Sequence, residues 1–157
     1  MSSPNIEYQL IIGDSNYFDT IFNLLKDTDQ DFIPSITSKF FLEDITKKYI
    51  DRACLYIAYF DSIPAGFVSF YVNEYPNNSY LSLIAVKSEF RGYEIGKNLE
   101  LNCIEYCRKK KSKGLNVNMR KSNDRLYRSR IKLGYIVTKE YKLEYSDELI
   151  VDMYLEF

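Results

Sequence analysis

Histidine and tryptophan are absent from this chain of 157 residues, and cysteine occurs three times. Without histidine the chain cannot build a Ser-His-Asp or Cys-His catalytic arrangement, and it offers a metal no imidazole. The cysteines form no Cys-x-x-Cys pair. Cys103 and Cys107 lie on a predicted helix, on the stripe that carries Ile95 and Leu99, so buried structural thiols are favoured over a redox or metal role. We therefore predict no metal site.

Long apolar runs and a strong charge imbalance are also absent. No apolar run approaches the ~18 residues of a membrane span. The N-terminus lacks a basic-then-apolar segment, so we expect no signal peptide and a cytoplasmic location. The formal net charge of −1 argues against bulk electrostatic binding to nucleic acid. Hydrophobic residues at 46% and charged residues at 27% are typical of a folded globule, which we expect to form one domain over residues 1–157.

One basic cluster, Arg108-Lys109-Lys110-Lys111-Ser112-Lys113, raises the question of a nucleic-acid module. The cluster lies at the C-terminus of a predicted helix, where cations complement the helix dipole. Because the chain as a whole is nearly neutral, a solvated helix end is favoured. The nucleic-acid hypothesis has only this run behind it.

Apolar periodicity predicts a chain of alternating strands and helices. The strands are placed at 6–12, 53–60, 65–72, 79–86, 115–119, 135–141 and 149–157. One helix carries Phe18, Ile21, Phe22 and Leu25, with Asp14 or Ser15 as N-cap, and a second carries Phe41, Leu42, Ile45 and Tyr49. A third runs over about 95–111 and stops at Gly114, and a fourth runs from Ser122 or Asn123 to Leu133 and ends at Gly134. This order predicts a mixed α/β fold.

The segment from Val86 to Leu99 is the most informative in the chain. It joins the end of an apolar strand to an amphipathic helix through a short turn that carries Arg91, Gly92 and Gly96. A strand that leads through such a turn into a helix gathers unpaired N–H groups and the positive end of the helix dipole at one point. The segment therefore predicts an anion site suited to phosphates.

A second motif follows downstream and reads Asn123-Asp124-Arg125-Leu126-Tyr127-Arg128-Ser129-Arg130-Ile131-Lys132-Leu133-Gly134-Tyr135. At about 100° per residue, its helix carries Asn123, Leu126, Arg130 and Leu133 on one face. An arginine on such a face needs a partner or a cleft for its charge, or else its end snorkels to solvent.

Together the two motifs resemble those of the GNAT superfamily of N-acetyltransferases. The first is similar to the family's acetyl-CoA signature, whose core is Arg/Gln-x-x-Gly-x-Gly/Ala, and Glu94 stands at the first glycine of that core. The second is similar to the family's Asn-x-Arg-Ala-x-x-x-Tyr-x-Lys-Leu-Gly-Phe. There Leu126 replaces the alanine, and Arg130 replaces the tyrosine that usually serves as general acid.

The resemblance implies the GNAT fold along nearly the whole chain. That fold is an α+β arrangement with a central, mostly antiparallel sheet, splayed at the cofactor site and flanked by helices on both faces. It implies acetyl-CoA as co-substrate, without a metal, with the pantetheine arm along the strand backbone and the pyrophosphate at the turn. The implied cofactor-binding residues are Ile84, Ala85, Val86, Arg91, Gly92, Tyr93, Glu94, Ile95, Gly96, Lys97, Asn123 and Arg130.

The sequence offers several candidates for the catalytic side chains. Arg130 cannot donate a proton at physiological pH, so it faces the sulfur or phosphates of the cofactor unless it snorkels. Tyr127 is a candidate substitute acid, and Glu74, acting through water, is a candidate base. Other carboxylates that could face an amine are Asp27, Asp29, Asp31, Glu144, Asp147 and Glu148.

The preferred hypothesis is an acetyl-CoA dependent N-acetyltransferase that acts by direct attack of the acceptor. The acidic, tyrosine-rich loops suit the primary amine of a small molecule, such as an amino sugar or another amine metabolite, and a protein N-terminus or lysine stays open. A GNAT-fold protein that binds coenzyme A with little turnover is the alternative, since Glu94 and Arg130 both depart from the family pattern. We expect no nucleic-acid or membrane partner, and a homodimer is a further hypothesis.

Overall fold

The computed structural model describes residues 2–32, 34–144 and 146–157, and Tyr75 by its backbone alone. The strands are β1 (Ile6–Ile12), β2 (Cys54–Phe60), β3 (Ile63–Tyr75), β4 (Asn78–Val86), β5 (Gly114–Arg120), β6 (Ile136–Lys142) and β7 (Leu149–Glu156). The helices are α1 (Phe18–Thr28), α2 (Leu42–Arg52), α3 (Ile95–Lys109) and α4 (Asp124–Leu133). The predicted order of strands and helices is confirmed. In the described part of the chain, no helix is long and apolar enough to span a membrane.

The strands form one mixed sheet in the order β1-β2-β3-β4-β5-β7-β6. Antiparallel registers join β1 to β2, β2 to β3, β5 to β7 and β6 to β7. The parallel register of β4 with β5 joins Asn78, Ser79 and Tyr80 to Gly114, Leu115 and Asn116. The fold is therefore mixed α/β with a mostly antiparallel sheet, as predicted.

By the density of its internal contacts the chain divides into two compact units. The first comprises residues 1–71 and 82–105, and the second comprises residues 72–81 and 106–157. In the first unit, α1 buries Ile21, Leu24 and Leu25, which recur at helical spacing. Strand β3 contributes Phe67 and Phe70, both fully buried. These side chains belong to the buried core of the first unit.

The apolar face of α2 differs from the prediction. Phe41 is 80% exposed and precedes the first helical residue, while the buried face consists of Thr46, Tyr49 and Ile50. Phe41 has extended backbone angles, and its carbonyl oxygen accepts hydrogen bonds from the amides of Asp44 and Ile45. A residue that caps a helix lies outside its helical repeat, so the predicted contribution of Phe41 to the buried face is wrong.

In the second unit, β5 and β7 bury one face with a period of two residues. Leu115 pairs with Leu155, and Val117 pairs with Met153, and all four side chains are buried. A polar network holds the turn after β3. The buried Ser112 hydroxyl lies 2.6 Å from the Ser79 hydroxyl and donates to the Asn73 side chain at 2.6 Å.

The end of α3 is a second correction. The helix ends at Lys109, and Lys111 adopts a left-handed φ of 62° while its amide donates to the Arg108 carbonyl. Gly114, predicted to stop the helix, is instead the first residue of β5. A Cβ atom there would overlap the Tyr154 ring and lie 2.6 Å from the Leu155 carbonyl oxygen. Gly114 is thus required for close strand packing, and Lys111 makes the turn.

This assignment predicts that two substitutions differ in their effect on stability. Gly114→Ala should lower the free energy of unfolding by about 1–3 kcal/mol, because the neighbouring backbone and ring must move. Lys111→Gly should not lower it, because glycine adopts a positive φ without the Cβ penalty. Urea denaturation of the two variants measures both effects. A neutral Gly114→Ala together with a destabilising Lys111→Gly would contradict the assignment.

Candidate functional site

The end of β4 is fixed by an unusually close backbone contact with β3. A Cβ atom at Gly66 would lie 2.5 Å from the Ala85 carbonyl oxygen and 3.1 Å from the Val86 Cα. Immediately beyond, the Lys87 amide donates to the Ala65 carbonyl at 2.9 Å. The three predicted strand residues for the cofactor, Ile84, Ala85 and Val86, therefore lie where β4 closely approaches β3.

The turn after β4 is packed against the end of β2. Ser88–Phe90 forms a single 3-10 turn. The Phe60 ring lies 5.0 Å from the Phe90 ring and 4.8 Å from the Tyr93 ring, measured between centroids. Aromatic pairs at this spacing add to the stability gained from burial alone. They anchor the turn from the side of the sheet, while Arg91, Gly92, Tyr93 and Glu94 remain exposed.

Helix α3 begins at the predicted position. Ile95, its first residue, is buried, and the Glu94 carbonyl accepts a hydrogen bond from the Asn98 amide at 3.0 Å. The first amides of a helix have no acceptor within the helix and lie at the positive end of its dipole. The amides at 95–97 thus lie beside the exposed turn, as an anion site requires.

Glu94 occupies its position at a conformational cost. Its φ is 59°, in the left-handed region that glycine adopts freely and that costs another residue about 1–2 kcal/mol. The structure thus explains why the family's signature has glycine here. The Glu94 carboxylate lies at the N-terminus of α3, where it favours the helix and opposes a bound anion.

Gly96 has no such requirement within the chain. A Cβ atom there would lie 3.7 Å from a Val86 methyl and 4.0 Å from an Ile84 methyl, which are ordinary van der Waals distances. The fold of the first unit accepts alanine at this position. The glycine leaves the backbone of the first turn of α3 open to close approach from outside.

Acidic side chains from the segment after α1 face the basic residues of the turn. Asp31 forms an ion pair with Arg91 at 2.8 Å, and Asp27 lies 3.6 Å from the Lys87 ammonium. Asp29 is buried and accepts hydrogen bonds from the Thr37 amide and hydroxyl at 2.9 and 2.6 Å. Burial by itself would raise the pKa of the Asp29 carboxyl group. The hydrogen bonds that the carboxylate accepts have the larger combined effect, so the pKa is lowered. The three aspartates are therefore engaged with this turn and with their own segment.

The helix of the second motif has the predicted caps. The Asn123 side chain accepts a hydrogen bond from the Leu126 amide at 3.3 Å, and Gly134 ends α4 with a φ of 107°. Asn123 is therefore used as the N-cap of α4, within the second unit.

Arg130 is buried, so the alternative in which its end snorkels to solvent is wrong. Its side chain is 3% exposed, and its guanidinium donates to the Asn118 carbonyl of β5 at 3.4 Å. The guanidinium carbon also lies 5.8 Å from the centre of the Tyr135 ring. A backbone carbonyl and an aromatic face compensate in part for removing this charge from water. Among the buried side chains of the second unit, Arg130 supplies a fixed positive charge.

The other two catalytic candidates lie in different settings. Tyr127 is half-buried, and its charge interaction with Lys121 adds to the larger effect of the Glu140 hydrogen bond in raising the pKa of Lys121. Glu74 is exposed near the end of β3, eight residues after Gly66. The role of Glu74 as the base stays a prediction.

A groove of about 510 Å³, lined by both polar and apolar groups, lies beside β1 and α3 of the first unit. Its lining residues are Tyr8, Asn98, Leu101, Asn102 and Glu105. Burial raises the pKa of the Tyr8 hydroxyl. The α3 residues of this groove begin at Asn98, immediately after the turn 91–97. In the described part of the chain, no group of three or more His, Cys, Asp or Glu side chains is arranged to hold a metal ion.

The sequence analysis missed the roles of Gly66 and Phe60. Gly66 stands in an apolar strand pattern, where an isolated glycine signals close backbone approach. The sequence therefore indicates a close approach at Gly66, but it does not indicate which strand Gly66 approaches. Phe60 carried no signal, because its contacts with Phe90 and Tyr93 depend on tertiary structure.

Solved structures with this fold include several acetyltransferases. Ribosomal-protein-S18-alanine N-acetyltransferase from Escherichia coli is 15% identical with a TM-score of 0.76, over 98% of this chain and 94% of that one. IAA acetyltransferase from Bacillus cereus ATCC 14579 is 16% identical with a TM-score of 0.69, over 98% and 100%. A proposed streptothricin acetyltransferase from Bacillus anthracis str. Ames, solved with acetyl coenzyme A, is 24% identical with a TM-score of 0.61, over 71% and 67%.

The sequence comparison agrees with the fold. No curated protein matches the chain in sequence. The family model described as Acetyltransferase (GNAT) family matches residues 18–135, which include the turn 91–97 and the second motif. Because this match covers well over half of the sequence, the chain belongs to the GNAT family of acetyltransferases.

Proposed function

We propose that the protein transfers the acetyl group of acetyl-CoA to the primary amine of a small molecule, such as an amino sugar or another amine metabolite. One observation carries this proposal: the firmly held end of β4 leads through an exposed turn into the bare first turn of α3. That geometry suits a phosphate-bearing acyl donor. Membership of the GNAT family supports acetyl-CoA as the donor.

The backbone does most of the binding in this proposal. The amides of the turn 91–97 receive the pyrophosphate, because they combine unpaired donors with the positive end of the α3 dipole. The backbone of Ile84, Ala85 and Val86 pairs with the pantetheine arm and supplies an amide for the developing oxyanion. Gly96 permits this approach because it adds no Cβ atom above the phosphate.

The proposed reaction requires few catalytic side chains. Acetyl-CoA supplies an activated acetyl group, and its thiol, with a pKa of roughly 8.5, leaves without a strong acid. The C–N bond forms as the neutral amine attacks the carbonyl, the C–S bond breaks as coenzyme A leaves as a thiolate, and the proton lost by the amine nitrogen passes to solvent. Arg130 contributes a permanent positive charge that favours the departing thiolate or the phosphates. Tyr127 remains a proposed acid.

The first test is acetyl-CoA binding by calorimetry, followed by thiol release with a panel of amines. The panel contains amino sugars, aliphatic diamines, a lysine peptide and a peptide with a free N-terminus. We expect saturable binding, and thiol release with a small amine at a higher kcat/KM than with either peptide. Gly96→Ala should weaken acetyl-CoA binding by about tenfold or more without lowering the free energy of unfolding, since alanine fits the fold and favours the helix.

Absence of binding at millimolar acetyl-CoA would refute the proposal. Binding without thiol release from any amine would favour the alternative, a GNAT-fold protein that binds coenzyme A with little turnover. Preference for a peptide would replace the small-molecule acceptor by a protein. Unchanged affinity in Gly96→Ala would show that the phosphates do not approach the first turn of α3.

Glu94 allows charge and backbone strain to be separated. Glu94→Gln removes the charge and keeps the Cβ atom, whereas Glu94→Gly removes both. Both variants should bind acetyl-CoA more tightly, because a carboxylate no longer faces the phosphates. Glu94→Gly should also be more stable than Glu94→Gln by about 0.5–1 kcal/mol, since the left-handed penalty exceeds the entropic cost of glycine. Thermal unfolding and calorimetry measure the two effects, and weaker binding by both variants would contradict the expectation.

Arg130 can be tested without leaving a large cavity. Arg130→Met keeps approximately the length of the side chain and removes its charge, together with its hydrogen bond to the Asn118 carbonyl. We expect Arg130→Met to stay folded and to lose more than about tenfold in kcat or acetyl-CoA affinity. Arg130→Tyr restores the family's residue and should retain or raise activity. If both variants equal the parent with every accepted amine, Arg130 serves packing alone.

A further inference from the structure

The ion pair between Asp31 and Arg91 joins two parts of the chain that are far apart in sequence. The Arg91 guanidinium nitrogen lies 2.8 Å from a carboxylate oxygen of Asp31. Both side chains are about half exposed, at 53% and 42%. Arg91 belongs to the turn that we propose as the phosphate site, so its charge is already engaged by the protein's own carboxylate.

Asp31 is held in place by its neighbours. It ends the 3-10 turn Asp29–Asp31, in which the Phe32 amide donates to the Asp29 carbonyl. The buried Asp29 side chain ties this turn to Thr37 through two hydrogen bonds. A carboxylate on so constrained a turn reaches Arg91 with little loss of conformational freedom.

A phosphate is a stronger partner for Arg91 than this carboxylate. Arginine binds phosphates and carboxylates through the same planar fork of donors, and a pyrophosphate, with its two phosphate groups, carries more acceptor oxygens and more charge than one carboxylate. Exposed ion pairs of this kind contribute little to stability. The Asp31–Arg91 pair can therefore be exchanged at small cost when a phosphate arrives.

We propose that Asp31 holds Arg91 until a phosphate group of the acyl donor takes its place, so that Asp31 is a positioning residue that sets the affinity for phosphate-bearing donors. This inference rests on the proposed function, which places the cofactor phosphates at the turn 91–97. Asp31 competes with the phosphates and does not contact the reacting atoms.

The test compares two donors in variants of the intact protein. Asp31→Asn should lower the KM and Kd for acetyl-CoA by about two- to fivefold, the factor that corresponds to an exposed ion pair, with kcat unchanged. S-acetylpantetheine, which lacks phosphates, should show no change. Glu140→Gln is the matched control, because it breaks the exposed Lys121–Glu140 pair, whose atoms are 2.9 Å apart and whose side chains are 46% and 41% exposed.

A double-mutant cycle separates exchange of partners from general electrostatics. In an Arg91→Gln background, which keeps a residue allowed by the family signature, Asp31→Asn should no longer change the affinity for acetyl-CoA. An equal gain in that background means long-range repulsion, and unchanged or weaker binding in Asp31→Asn alone means that Asp31 does not compete. Either result overturns the inference and leaves the proposed function standing. If no variant binds acetyl-CoA, the proposed function fails and the inference fails with it.

Discussion

The close approach of β3 to the end of β4 is the constraint on which the rest of the proposed phosphate site depends. Gly66 brings the two backbones so near that a Cβ atom would lie 2.5 Å from the Ala85 carbonyl oxygen. The Lys87 amide continues the contact by bonding to Ala65. Because this contact fixes the end of β4, it also fixes where the following turn begins. Ile95, the first residue of α3, is then buried in the core, and its burial sets the position of the first amides of the helix. A looser β3–β4 contact would leave the turn without a defined origin.

Charge is distributed around this turn in a balanced way. Lys87 and Arg91 supply positive charge, and Asp27 and Asp31 face them from the segment that follows α1. Glu94 adds a carboxylate at the start of α3, in a backbone conformation that favours glycine. The chain therefore places several acidic groups near a site that we propose for an anion. In our proposal, phosphate binding there depends on the backbone amides more than on net charge, which agrees with a formal net charge of −1 for the whole chain.

Much of the fold could be predicted from the sequence because local patterns and tertiary structure agree. The bounds of β1 and the caps of α4 follow from a strand run and from Asn123 and Gly134. The errors arose where an apolar or glycine residue serves a different purpose. Phe41 caps α2 and stays exposed, and Gly114 is required by the neighbouring Tyr154 rather than by a turn. The burial of Arg130 could not be decided, because its partner, the Asn118 carbonyl, lies on another element. The same holds for Asp31, whose partner is 60 residues away.

The central claim is that the turn 91–97 and the end of β4 receive the donor's phosphates and pantetheine. Amide chemical shifts of the isotopically labelled protein, recorded while acetyl-CoA is added, test this claim most directly. The account predicts that the largest changes occur at residues 84–86 and 91–97, with smaller changes in the groove lined by Tyr8, Asn98, Leu101, Asn102 and Glu105. Saturable changes concentrated in that groove, with the turn unaffected, would contradict it.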